Sequence, residues 1–401
     1  MIYKSVLRVI FIIGFLSSTS FAKTNLKKIV GKVLAEDTQK AIAYARLSVG
    51  DNKIGTLSNE QGEFMLKIPF NLQNDTLRIS HIGYETLRIP LESIGRDSLV
   101  VSLLPQSLTL EEVEIVSISP EDTILKAWRE RSANYETRPT LIQGFYQEEM
   151  GERTPNTQVL FAEGILELYK TPYHKYRPDK VRVVKGRQKI TPRVYTYRGQ
   201  EYHLPSIAQG PHLGIVLDVM KNGDSFLTRK NQKYYDFRFE EVINHNDRLT
   251  YVFSFSPKKL QSTMALFKGK VFIDLESLAV VRAKYEVTYP GKKLYNQTSA
   301  KLELTSRKYE VNYMEYEGSW YLQDARVTNE YNFPPMGVNL YSHHTFLTTE
   351  ILNDKIDDFP LNEALSLDEP FIEVVGSLQE EYWGDYNVIP IGETSFDQPP
   401  R

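Results

Sequence analysis

The 401-residue chain contains no cysteine. This absence excludes disulfide bonds, cysteine nucleophiles, cysteine-ligated metals and lipid attachment through an N-terminal cysteine. A chain of this length can bury enough apolar surface to fold without disulfides. The lack of cysteine is therefore compatible with an exported protein.

The sequence also lacks the short motifs of common catalytic folds. It contains no His-x-x-Glu pair of a zinc carboxypeptidase, no His-Glu-x-x-His, no Gly-x-Ser-x-Gly and no phosphate-binding loop. The one histidine pair is His343 and His344, and neighbours in a strand face opposite sides. We therefore predict a non-catalytic protein with no metal and no cofactor. A glycan-active enzyme stays open, because it needs only two suitably placed carboxylates.

Only one long apolar run occurs, at residues 9–16, and it follows the basic residues Lys4 and Arg8. It is much shorter than the ~20 apolar residues that span a bilayer. Small residues up to Ala22 complete the pattern of a secretory signal. We predict that residues 1–22 are a signal peptide, that the mature chain starts at Lys23 without a transmembrane span, and that it is periplasmic or peripheral to the outer membrane.

Charge is unevenly distributed along a chain with a net charge of −3. Residues 170–198 hold ten basic side chains and one acidic one, whereas residues 351–401 hold twelve acidic and two basic ones. The basic block is interleaved with Tyr173, Tyr176 and other tyrosines, a pattern that nucleic-acid-binding proteins share. An exported protein rarely meets nucleic acid. We therefore expect a solvated strand face, with lipid head groups, acidic glycans or the acidic tail as alternative partners.

The 25 tyrosines and 19 phenylalanines predict a mainly β protein. Short alternating strands separated by turns occupy residues 23–117, which predicts a β-sandwich. The motifs Gly31-x-Val33, Gly55-Thr56, Asn59-x-x-Gly62-x-Phe64 and Ile82-Gly83-Tyr84 follow one another here. This series resembles the carboxypeptidase-regulatory-like domain of Bacteroidota envelope proteins, which implies a transthyretin-like sandwich.

The segment from Leu108 to Ile115 resembles the connection between that domain and the plug of TonB-dependent receptors. No plug or barrel pattern follows it. Residues 118–140 instead predict a linker helix, with Ser119 as its N-cap and Pro120 in its first turn. The departure from the receptor pattern leaves the domain's partner open.

Residues 141–355 predict a larger antiparallel domain, a curved sheet or partial barrel with one or two short helices. Its Phe267–Val281 stretch resembles the regions that accompany the small domain in other Bacteroidota proteins, and the domain is loosely similar to half-barrel lipoprotein carriers. Residues 356–401 predict an acidic, proline-containing tail anchored by Trp383 and Tyr386. A concave side of this sheet could form an apolar cleft. Its predicted lining is Trp128, Phe237, Phe239, Tyr251, Phe253 and Phe255.

These features leave three functional hypotheses. The first is a non-catalytic binding or scaffolding protein of the cell envelope that docks an envelope partner. The second is a carrier of a lipid or other apolar ligand, by analogy with half-barrel carriers. The third is a glycan-active enzyme with two unmarked carboxylates.

Overall fold

The computed structural model describes residues 26–95, 98–106, 118–154, 156–175, 177–191, 193–203, 210–259, 266–289, 292, 302–334, 337–353, 358–367, 369–377 and 383–391. The predicted signal peptide and the receptor-like segment at 108–115 lie outside these residues, as does Tyr176. Within the described residues, no helix has both the length and the apolar character needed to cross a bilayer.

The N-terminal part forms the predicted β-sandwich. One layer has the order β4-β1-β7, and the other includes β3, β2, β5 and β6. Their facing side chains, including Val33, Leu47, Phe64 and Ile79, form one core cluster. The seven strands are β1 (Leu26–Ala35), β2 (Arg46–Val49), β3 (Ile54–Leu57), β4 (Glu63–Pro69), β5 (Thr76–Ser80), β6 (Leu87–Pro90) and β7 (Leu99–Leu103).

The predicted linker helix begins where the capping residues place it. The backbone N–H of Asp122 donates to Ser119 Oγ (3.4 Å), and Pro120 occupies the first turn of α1 (Pro120–Arg129). A turn at Glu130 separates α1 from α2 (Arg131–Asn134). The apolar face of α1 buries Trp128 against the larger domain.

The larger domain is an open, mainly antiparallel sheet with strand order β13-β14-β15-β16-β17-β18-β19-β8-β9-β10-β20. Val181 of β10 and Phe237 of β13 belong to one core cluster although their strands lie near opposite ends of this order, so the sheet curves around that core. Its strands are β8 (Thr140–Arg153), β9 (Asn156–Lys170), β10 (Lys180–Ile190), β13 (Tyr235–His245), β14 (Arg248–Pro257), β15 (Phe267–Asp274), β16 (Val280–Val287), β17 (Glu303–Tyr316), β18 (Ser319–Phe333), β19 (Val338–Leu352) and β20 (Gly376–Ser377). Strands β11 (Val194–Tyr197) and β12 (Gln200–His203) form a separate two-stranded sheet.

The large, open antiparallel sheet is confirmed, and the described part of residues 141–355 has the expected two short helices, at 213–216 and 229–232. The part of the chain that the structure describes has five α-helices, which include α3 (Leu213–Val216), α4 (Arg229–Gln232) and α5 (Phe371–Val374). Four of the five are four residues long, which is too short for a helical period to show in a sequence. Buried side chains of α1, α3 and α5 pack on one face of the sheet, here called the inner face; the opposite face is the outer face.

The two domains join through the sheet itself. Strand β18 stops pairing with β19 beyond Asp324↔Leu347, and β3 of the small domain takes its place through the pair Ile54↔Glu350. Arg46 of β2 enters the same gap and donates from Nη1 to the carbonyl of Thr348 (3.1 Å). Since one hydrogen-bonded sheet crosses the boundary, the sandwich is an extension of the large domain.

Candidate functional site

The six residues predicted to line an apolar cleft lie together on the inner face. Phe237 pairs with Phe255 and Phe239 with Phe253 across β13 and β14. Four of the six residues belong to the main buried core cluster, and the partly buried Phe239 and Tyr251 pack against it. Phe226, from the loop before α4, stacks on Phe255 with ring centroids 4.1 Å apart. The cavities described below are lined by other residues. The apolar cleft therefore stays a prediction.

The inner face also carries a buried polar chain that the sequence did not predict. His344 Nε2 lies 3.0 Å from Ser342 Oγ, and its Nδ1 lies 3.1 Å from the hydroxyl of Tyr146 and 3.5 Å from Glu148 Oε2. This order of contacts is that of a Ser-His-acid relay. Ser342 is only 1% exposed and also accepts a hydrogen bond from Asn329 (2.9 Å). Because a substrate cannot reach this oxygen, the chain serves to join β8, β18 and β19.

A second buried set combines two lysines with two aspartates. Lys170 Nζ lies 3.1 Å from Asp179 Oδ2 and 2.5 Å from Asp218 Oδ2, and Lys221 Nζ lies 3.6 Å from Asp179 Oδ1. Burial opposes the charge on Lys170, but the two carboxylates outweigh it and raise its pKa. Tyr313 donates to Asp218 (2.7 Å). The set is neutral overall and binds the loops around it to β17.

An open polar cleft lies between the two domains and is here called the domain cleft. Its volume is about 250 Å³. Three parts of the chain form its walls: the turn before β4, the outer faces of β8, β9 and β19, and the C-terminal tail. The lining residues are Tyr44, Asn59, Glu60, Gln61, Gln147, Glu149, Arg153, Asn156, Gln158, Phe161, Tyr341, His343, Thr345, Ile389, Pro390 and Ile391.

An acid–histidine group lies in the domain cleft. His343 Nδ1 is 2.8 Å from Glu149 Oε1 and 3.9 Å from Glu60 Oε1, while Gln158 donates to Glu149 Oε2 (2.9 Å). Burial, reinforced by Glu149, raises the pKa of Tyr341 to about 12. His343 lines the cleft, whereas its neighbour His344 is buried in the core. Among the described residues, no group of three or more histidine and acidic side chains could hold a metal.

Hydrogen bonds hold the walls of the domain cleft in place. Asn59 Oδ1 accepts from the backbone N–H groups of Gln61 (3.0 Å) and Glu63 (2.8 Å), which fixes the turn. Its Nδ2 donates to the carbonyl of Pro390 (3.3 Å). This turn asparagine is thus connected to the tail, so the cleft is preformed.

The tail adopts a defined path over the basic block. Arg182 pairs with Glu363 (2.8 Å), Lys180 contacts Asp358, and β20 runs parallel to β10. Trp383, one of the two predicted anchors, packs edge-on to Phe145 with ring centroids 6.0 Å apart. The two charge blocks of the sequence therefore meet.

The tail also binds the sandwich. Asn387 Oδ1 accepts from the backbone N–H of Lys67 (2.7 Å), and its Nδ2 donates to the Lys67 carbonyl (3.0 Å). Thr56 donates to the carbonyl of Val388 (3.2 Å). The tail is therefore a strap that joins β10 of the large domain to β3 and β4 of the small one.

Comparison with solved structures gives distant similarities. The alignment with a putative outer membrane lipoprotein-sorting protein domain from Vibrio parahaemolyticus includes 61% of this chain and 96% of that domain, at 10% sequence identity and a TM-score of 0.30. A DUF1329 family protein from Desulfovibrio piger covers 60% and 98%, at 10% identity and a TM-score of 0.23. Lipovitellin covers 56% and 27%, at 10% identity and a TM-score of 0.26.

No curated protein matches the chain. The family comparison does give a match, and it falls on the β-sandwich and the segment after it. The resemblance seen in the small domain's motifs is thereby confirmed. Residues 29–115 match the sequence model of the CarboxypepD_reg-like domain, and the N-terminal part of the chain is a domain of that family.

Proposed function

We propose that the protein is a non-catalytic binding or scaffolding protein of the cell envelope, with the domain cleft as its binding site. The observation that carries this proposal is that three separate parts of the chain, bound to one another by hydrogen bonds, build one open polar cleft. A preformed site loses less conformational entropy on binding than a mobile one. The signal-like residues 1–22 support export to the envelope.

The lining of the domain cleft favours a polar partner. Side-chain amides of Asn59, Gln61, Gln147 and Gln158 surround it, and they can both donate and accept hydrogen bonds. Two arginines cover the faces of the tyrosines that a ligand would otherwise stack on: Arg153 lies 4.4 Å from the ring of Tyr341, and Arg326 lies 4.2 Å from that of Tyr44. Recognition would therefore depend on hydrogen bonds more than on apolar contact.

A glycan-active enzyme is the alternative that one observation favours, because Glu60 and Glu149 share the cleft and both lie near His343 Nδ1. Both oxygens of Glu149 already accept protein hydrogen bonds, however, from Gln158 and the His343 ring. A general acid or base must instead reach the substrate atom that it serves. This arrangement favours binding over catalysis.

Native mass spectrometry of the chain purified from its own envelope without detergent tests the proposal. We expect a bound species of defined mass on the wild type, and its loss from Gln61→Trp, which fills the domain cleft. Asp224→Trp is the matched control, since Asp224 is 86% exposed at its side chain and lies outside the cleft lining.

Three results would contradict the proposal. A lipid retained equally by both variants would favour a carrier that uses the inner face. Turnover of an oligosaccharide by the wild type, lost in Glu149→Gln, would favour the enzyme. A wild-type chain purified with no bound species would contradict the proposal that the domain cleft is a binding site. Circular dichroism of each variant checks that it folds.

A further inference from the structure

A small polar cavity lies within the boundary between the domains, separate from the domain cleft except for a shared wall at Tyr44. Its volume is about 30 Å³, which is more than the ~10–15 Å³ needed to hold one water molecule. Both domains contribute to its wall. The lining residues are Tyr44, Arg46, Ser80, His81, Ile82, His245, Asn246, Arg282, Glu310, Asn312, Gln323, Asp324 and Arg326.

Two arginines in this wall have a buried N–H group without a protein partner. The Nε atoms of Arg46 and Arg282 are buried and make no hydrogen bond, and the two residues are only 4% and 9% exposed. Other nitrogens of the same guanidinium groups have protein partners: Arg46 Nη1 donates to the carbonyl of Thr348 (3.1 Å) and Arg282 Nη2 donates to Glu310 (2.6 Å). Since unsatisfied buried donors are costly and rare, these two N–H groups point to a bound acceptor.

The charges around the cavity favour a negative acceptor over a neutral one. Three guanidinium groups line it, from Arg46, Arg282 and Arg326, against two carboxylates. Glu310 already accepts from Arg282 (2.6 Å) and Arg326 (2.5 Å). Asp324 likewise accepts from Arg326 (3.2 Å), Asn312 (2.9 Å) and Gln323 (2.9 Å). One positive charge remains uncompensated.

Two histidines in the cavity wall lie close to the same positive charges. His81 and His245 each have a buried Nδ1 without a hydrogen-bond partner. Burial lowers their pKa to about 4 and about 3 respectively, and Arg282 contributes next in both cases. Both rings are therefore neutral at pH 7, so they supply no positive charge of their own and have a ring nitrogen free to orient toward a ligand.

We propose that this cavity binds one small inorganic anion of chloride size. The Nε–H groups of Arg46 and Arg282 donate to it, one from each domain, and its charge balances the third guanidinium. Its occupancy would hold β2 of the sandwich against β16 and β18 of the large sheet.

The test uses the full chain in two salts of equal ionic strength, sodium chloride and sodium gluconate, because gluconate is a much larger anion than chloride. An anion site with a Kd of about 1 mM raises the folding equilibrium constant about 100-fold at 100 mM chloride. We expect a higher Tm in chloride for the wild type. Arg282→Gln should lose this difference, whereas Arg238→Gln, which removes the same charge from an exposed position of β13, should keep it.

A second measurement needs no variant and separates an anion from ordered water. Crystals of the wild type soaked in bromide should show an anomalous peak between the Arg46 and Arg282 Nε atoms. An equal Tm in the two salts, or a cavity that holds only water after the soak, would overturn the proposal. Bromide found only on the protein surface would do the same.

Discussion

Replacing Lys170 by methionine is the sharpest perturbation of the large domain. Lys170 Nζ lies 3.1 Å from Asp179 and 2.5 Å from Asp218, with the three side chains at most 2% exposed. Methionine fills a similar volume without the charge. Two buried carboxylates would then share only Lys221, which lies 3.6 Å from Asp179. Removal of one partner from a buried ion pair costs about 3–5 kcal/mol.

Lys268→Met is the matched control for this substitution. Lys268 pairs with Glu286 at a similar distance, 2.9 Å, but the two side chains are 54% and 39% exposed. Exposed pairs contribute only ~0–1 kcal/mol. We therefore expect Lys170→Met to lower the Tm by roughly 4–7 °C and the control to lower it by about 1 °C or less. Thermal and urea unfolding followed by circular dichroism measure both.

The reasoning also predicts a partial rescue. Asp218→Asn in the Lys170→Met background removes one of the unpaired carboxylates, while an amide oxygen can still accept from Tyr313. The two substitutions should couple by about 1–3 kcal/mol in a double-mutant cycle. Equal losses in Lys170→Met and Lys268→Met, or additive effects in the cycle, would refute the assignment of this set as an ion-paired unit.

Two further predictions follow from the domain boundary and the tail. The pKa of His81 is lowered to about 4 and that of His245 to about 3, by burial first and Arg282 second. Near pH 6.5 both histidines are therefore protonated in the unfolded chain but not in the folded chain. The free energy of unfolding should fall as the pH drops from about 6.5 toward 4. A Tm that stays constant over pH 4–8 would contradict this prediction. Trp383→Ala removes a buried ring that packs on Phe145 and Arg187, and it should lower the free energy of unfolding by about 3–5 kcal/mol. Tyr289→Ala is the control, because Tyr289 is 78% exposed and its loss should hardly change that free energy. Urea unfolding measures both, and equal losses would show that Trp383 does not anchor the tail.

Features that depend on local alternation could be predicted from the sequence. The hairpin of β15 and β16 is an example, because two alternating segments at residues 267–274 and 280–287 flank a short turn in the sequence. The cap at Ser119 set the start of α1 in the same way, because the signal lies within four residues. Period-two alternation and capping are properties of one short segment. The secondary structure of such a segment can therefore be predicted without knowing what it packs against.

The boundary between the domains could not be predicted, since it rests on contacts between residues about 300 positions apart. Arg46 donates to Thr348, and β3 pairs with β19 only at Ile54↔Glu350. Nothing in the sequence around Arg46 or Ile54 indicates which distant residue it contacts. The domain cleft shares this difficulty: the sequence singled out His343, but Glu60 and the tail reach it only after folding. The four-residue helices likewise carry no periodicity of their own.

The path of the tail limits how a partner can bind. An edge strand with free N–H and C=O groups is a template for strand addition by another chain. The tail covers two such edges: Asn387 engages both backbone groups of Lys67 on β4, and β20 pairs with β10 at Arg187 and Gln188. A partner that added a strand at either edge would first have to displace the tail, with the loss of the Trp383 packing and of the Asn59–Pro390 bond that closes the domain cleft. Recognition through side chains in the cleft requires no such displacement, and for this reason we place binding there and not at these sheet edges.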